Sequence, residues 1–153
     1  MEHMEHTFVQ ATADCTAFLT LLDLEQQALI NRDMGALEAL LTDKAPLVAA
    51  LSRHDQAILV FCQELGIDPG PGLKQHIAAL GSDALQASFA AFTAALQQCQ
   101  QANERNARLI RHNQQATTQL LDMLRNQGES SQTIYDRQGL ASRPGSPRNL
   151  TKV

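Results

Sequence analysis

An all-α fold is predicted: an antiparallel bundle of three long helices plus a short connecting helix, with a C-terminal tail. Three observations predict it. Ala, Leu and Gln dominate the 153 residues, and all three are strong helix formers. Aromatic residues make up only 4 % of the chain, with no Trp and one Tyr, so the core must be Leu- and Ala-rich helix–helix seams. Apolar residues also recur at heptad spacing over long stretches, the signature of amphipathic helices.

The first helix is expected at about Thr7 to Asn31. Phe8, Cys15, Leu22 and Leu29 recur every seven residues, and Phe18 and Leu19 widen the stripe. Asp33 is a good N-cap for the next helix. That helix is placed at Met34 to Leu65, with Leu37, Leu41, Val48, Leu51, Ile58, Cys62 and Leu65 on one face. Pro46 interrupts it, since proline lacks an N–H and clashes one turn back. A kink near Thr42, or a restart capped by Asp43, is expected. Gly66-Ile67-Asp68-Pro69-Gly70-Pro71-Gly72 is the strongest breaker in the chain. Leu73 to Leu80 then makes a short connector with Ile77 inward, and Ser82 or Asp83 caps the third long helix.

From Asp83 to Gln127 there is neither Gly nor Pro. At ~1.5 Å per residue such a helix spans roughly 65 Å. Alternating steps of four and three from Leu85 pass through Phe89, Phe92, Leu96, Cys99, Asn103, Asn106, Ile110, Asn113, Thr117, Leu120 and Leu124. The ends of this stripe are apolar and its middle is polar. One explanation is a core helix whose Asn residues fix register. The other is a helix that outruns its partners and offers its C-terminal half to another protein. Gly128 is expected to stop it. The domains are therefore a helical bundle over 1–127 and a flexible tail over 128–153, rich in Ser, Gly, Pro and Arg. The tail has four basic and two acidic residues, a local +2, which leaves −6 on residues 1–127 out of the total −4. Thr133 to Leu140 is an apolar patch within it, either a linear recognition element or a return segment packing on the bundle.

Several function classes are excluded. An acidic chain lacks the basic face that phosphate binding needs, so nucleic acid is not an expected partner. No apolar run reaches the ~20 residues that span a bilayer, so no membrane insertion is expected. The repeated Met-Glu-His at the start is acidic, lacks the apolar core of a signal, and reads as a duplication or a cloning remnant. Cys15, Cys62 and Cys99, odd in number and without a CxxC pair, fit a reducing, cytoplasmic setting and buried structural roles. No phosphate-cradling loop and no HExxH or paired Cys/His spacing occurs, so no catalytic residue, metal site or cofactor is indicated. His3 and His6 share a face of a turn in a terminus expected to fray. His54 lacks the basic residue and Gly that usually follow a phosphorelay histidine, and is expected at a solvated helix edge. What remains is binding of other proteins through helices.

The chain resembles the FlgN family of flagellar type III export chaperones. Leu19, Leu21, Leu22, Glu25, Ala28 and Leu29 are similar to the family's first helix, and Asp33, Leu37, Glu38, Leu40, Leu41, Lys44, Leu47 and Leu51 to its second. Asn103 to Ile110, with Asn106 and Leu109, is similar to N-x-x-N-G-x-L-I, with Ala107 where the family usually has Gly. Tyr135-Asp136-Arg137-Gln138-Gly139 matches Y-D-x-x-G. The resemblance implies a non-enzymatic cytosolic chaperone that binds the terminal helices of the hook–filament junction proteins FlgK and FlgL. It also implies delivery to the export gate through the cytosolic domain of FlhA. Asn103, Asn106, Leu109, Ile110, Asn113, Leu120 and Leu124 are the expected cargo stripe. Tyr135, Asp136 and Gly139 are the expected gate-docking element. A homodimer is a further option, and a structural or adaptor bundle that homo-oligomerises is the alternative function.

Overall fold

The computed structural model describes the backbone of residues 2–137 and the side chains of residues 2–128. Among the described residues there are four helices: α1 (Glu2–Asn31), α2 (Met34–Leu65), α3 (Pro71–Ala79) and α4 (Asp83–Arg137). No strand occurs among the described residues. The chain divides into two units, Met1–Ile110 and Arg111–Val153. No helix among the described residues is long and apolar enough to cross a membrane.

The first unit is the bundle. The expected α1 stripe is buried at Phe8, Cys15, Leu22 and Leu29. The helix begins at Glu2, ahead of the expected Thr7, because Met4 lies one turn before Phe8 and joins it in the core. The terminus expected to fray is therefore a packed turn. Arg32 takes a left-handed conformation (φ 54°), and the Asp33 N–H closes back on the Ala28 carbonyl at 2.9 Å. Asp33 then caps α2, its Oδ1 accepting from the Ala36 N–H at 3.0 Å.

Two cross-links fix the direction of α2. Asp14 meets His54 and Glu25 meets Lys44, so α2 runs antiparallel to α1. Pro46 neither splits nor restarts α2, which is continuous from Met34 to Leu65. The buried face differs from the one expected. Leu40 is buried, whereas Leu41 and Val48 are 66 % and 51 % exposed. The cause is that Lys44 and His54 occupy inward positions and find carboxylates on α1. A face traced through apolar residues alone drifts around the helix to Leu41 and Val48.

Gly66 ends α2 in the left-handed region (φ 65°), and its N–H and that of Ile67 close on the Gln63 and Cys62 carbonyls. This is the Schellman arrangement, which favours glycine because it has no Cβ. Pro71 opens α3 at a first-turn position where no N–H is needed. Leu73 and Ile77 drop from α3 into a core formed with Met4, Phe8, Ile58, Cys62 and Leu85. Phe8 packs its ring against Phe89 at 5.2 Å and Phe92 at 5.7 Å. Ser82 caps α4, its Oγ accepting from the Leu85 N–H at 3.3 Å.

Phe8 meets Phe92, Cys99 Sγ donates to the Cys15 carbonyl, and Asn106 meets Leu22. These contacts ascend together, so α4 runs parallel to α1. Half of the expected α4 register is inward at Phe89, Phe92, Cys99 and Asn106. Past Phe92 the alternate positions lie one residue earlier than counted: Ala102 is buried, Asn103 and Ile110 are exposed, and Leu109 is half-buried. Gly128 does not stop the helix, which continues to Arg137. Gly139 and the rest of the tail lie outside the described residues.

Candidate functional site

Glu25 sits on the α1 stripe between Leu22 and Leu29, three residues past one and four before the other. A carboxylate there must bury, and it is only 9 % exposed. Both its oxygens are used. Oε2 accepts from Lys44 Nζ of α2 at 2.7 Å, and Oε1 accepts from Asn106 Nδ2 of α4 at 2.9 Å. Asn106 Nδ2 also donates to the Leu22 carbonyl at 2.8 Å, and Asn106 Oδ1 accepts from Arg105 Nε at 3.2 Å. Arg105 Nη2 reaches Asp23 Oδ1 at 3.0 Å, and the Lys44 ammonium lies 5.5 Å from the centre of the Phe18 ring. Charge-assisted bonds of this kind are the stronger class. No buried side-chain polar atom lacks a partner among the described residues, so the network meets the requirement for polar groups in a core.

The expected cargo residues thus have different fates. Asn106 is 1 % exposed and belongs to the bundle interior. Asn103 is on the surface beside it, and Leu109 is half-buried. Ile110, at the end of the first unit, is 41 % exposed.

In the second unit Asn113 is half-buried, while Leu120 and Leu124 are each 57 % exposed, accompanied by Leu121 and Met123. At ~100° per residue Asn113, Leu120 and Leu124 share one face of the helix. Thr117 and Thr118 turn their hydroxyls back to the Asn113 and Gln114 carbonyls at 2.9 and 3.0 Å. Tyr135 and Asp136 fall in the last turn of α4; their side chains and Gly139 lie outside what the structure describes.

The three thiols are free and buried. Burial, then the neighbouring Cys99 and Asp14, pushes the Cys15 thiol up to about 12. Burial also raises Cys62 and Cys99. All three stay protonated near neutrality, when a thiol is a poor nucleophile. His54 is not at a solvated edge: its Nε2 lies 2.7 Å from Asp14 Oδ2 with the side chain 20 % exposed. No group of three His, Cys, Asp or Glu able to hold a metal occurs among the described residues.

The roles of Glu25 and Lys44 were readable only as isolated patches of resemblance. The signal for them was a charged residue at a seam position on each of two neighbouring helices. Asp14, Asp23 and Arg105 gave no comparable signal.

A family model described as FlgN protein matches residues 1–143. The chain belongs to the FlgN family. A crystal structure of a flagella synthesis protein FlgN from Pseudomonas aeruginosa is similar to it, at 32 % identity and a TM-score of 0.63. That match covers 81 % of this chain and 97 % of the other. No curated protein matches. The FlgN family is one of flagellum biogenesis and of chaperone rather than enzyme type, and the helical bundle is that of a FlgN-family chaperone.

Proposed function

We propose that this FlgN-family chain is a cytoplasmic export chaperone for the junction proteins FlgK and FlgL, whose terminal helices it holds and delivers to the cytosolic domain of FlhA. The observation that carries the reading is the exposure of Leu120, Leu121, Met123 and Leu124 on a helix more than half of whose length precedes them in the chain. Large apolar side chains in such a cluster mark a surface that a partner covers, and an amphipathic helix is the natural partner for another. The junction-protein segments would order on binding, which couples folding to association. In this reading Leu120 and Leu124 are the anchors in the second unit, with Asn113 on the same face. In the first unit, taken by itself, Leu109 and Ile110 are the cargo anchors, with Asn103 exposed on the same helix. Asn106 takes a register role and no surface contact. Tyr135, Asp136 and Gly139 form the gate-docking element.

The test is titration of the full chain with purified C-terminal segments of FlgK and FlgL, against a scrambled segment of equal composition. Saturable binding to the native segments alone supports the proposal. Absence of binding, together with a dimer or larger species in light scattering that Leu120→Ala/Leu124→Ala dissolves, favours the adaptor bundle that pairs copies through α4.

A further inference from the structure

A heptad repeat brings two helices together without choosing their register. In α1 and α4 the contacts Cys15–Cys99 and Leu22–Asn106 are each separated by 84 residues, a whole number of heptads. Slide α4 one heptad either way and apolar or small residues still face one another. Cys99 then meets Phe8 or Leu22, each of them a buried stripe residue. The loss is confined to one place. In one slipped register Asn106 comes level with Leu29 and Cys99 replaces it beside Glu25, which loses its amide donor. In the other Asn106 is stranded level with Cys15, and Asn113, one heptad on, comes level with Leu22 in its place. Glu25 and Asn106 are both buried in the observed register, and a buried polar group without a partner is costly.

We infer that Glu25 and Asn106, braced by Lys44 and Arg105, are positioning residues that lock the register of α4 against α1. A polar residue at one seam position specifies register in paired helices, often at some expense in stability. Here the pair decides which residues of α4 the bundle takes up. The inference stands whatever α4 binds. Its rival is the connector: Leu73 and Ile77 anchor α3 in the core, and so α3 could set the register by itself.

The experiment places spin labels on the full chain at two exposed positions, His6→Cys and Glu104→Cys. The native thiols are buried, which protects them from brief labelling. The labelled sites lie two heptads apart along the axis in the observed register, so a one-heptad slip moves one past the other by roughly 10 Å. Pulsed electron paramagnetic resonance then reads the separation. The parent is expected to give one narrow distance. Glu25→Leu/Lys44→Met/Asn106→Leu, which leaves no buried charge behind, is expected to add a population displaced by several ångströms while its melting temperature holds or rises. Glu25→Gln, which keeps an acceptor for Asn106, is expected to retain the single distance. A single unchanged distance in the triple variant overturns the inference in favour of the connector. Failure of the triple variant to fold also overturns it, because the network would then be a source of stability rather than of register.

Discussion

Glu25 accepts from a helix on either side of its own, and its value depends on both partners staying. Lys44 and Glu25 side chains are 17 % and 12 % exposed at a separation of 2.7 Å. Removing one partner of a buried pair leaves an uncompensated charge, which costs about 3–5 kcal/mol when burial is complete. Some solvent reaches this pair, so Lys44→Met is expected to destabilise by about 2–3 kcal/mol in a urea titration. A loss below ~0.5 kcal/mol would place the pair among ordinary surface bridges. Cys15 makes a second prediction at this scale. Its folded pKa of about 12 lies above the usual value of 9.0, so the unfolded chain ionises first as pH rises. The stability held by this thiol is complete below pH 9 and is lost as pH climbs from 9 towards 12. The contribution falls at up to ~1.4 kcal/mol per pH unit. Denaturation midpoints across that range, compared between the parent and Cys15→Ala, should show the parent's steeper decline.

At the scale of the element, helix ends and interruptions can be weighed against what the backbone requires. Gly66 holds φ 65°, and a Cβ added there would meet nothing within 4 Å. The cost of Gly66→Ala is therefore conformational alone, about 1 kcal/mol, measurable as a shift in the urea midpoint with an unchanged slope. Gly128 is the opposite case. It lies inside α4 with open space around its Cβ position, so Gly128→Ala should strengthen the helix by roughly 0.5–1 kcal/mol and raise the helical signal in circular dichroism. These two glycines also show what was legible beforehand. Gly66 sits in a cluster with Pro69 and Pro71, so chain chemistry alone stops α2 there. Gly128 stands by itself, and one glycine in a helix-forming stretch is only a modest penalty, which α4 absorbs. The same contrast runs through the packing. The α1 stripe was legible because apolar side chains fill most of it. The α2 face was not, since Lys44 and His54 stand at inward positions where only knowledge of Glu25 and Asp14 explains them. On α4 the small side chain of Ala102 is buried next to the exposed Asn103, and a step of three and a step of four are equally compatible with such small residues. Tyr135 and Asp136, expected in the tail, fall in the last turn of α4, for the same reason that Gly128 fails to end it.

For the molecule as a whole, the question is whether the apolar residues of the second unit serve the fold or a partner. A core leucine that is fully buried contributes about 1.5–3 kcal/mol to the state that buries it. Leu120 and Leu124 are 57 % exposed in the free chain, so most of that gain is still unrealised there. A cargo helix laid on this face would realise it. Truncating both to Ala should then remove about 2–3 kcal/mol of binding, a loss of at least tenfold in affinity, where each factor of ten is ~1.4 kcal/mol. The melting temperature should move by no more than a degree or two, because the free state loses little buried area. Leu22→Ala is the control, since Leu22 is fully buried in the first unit and its truncation should cost about 2–5 kcal/mol of stability. Two measurements on each variant, a melting curve and a titration with the FlgK terminal segment, separate the cases. If Leu120→Ala/Leu124→Ala melts as early as Leu22→Ala and binds cargo normally once folded, these leucines belong to the fold and the cargo contact lies elsewhere.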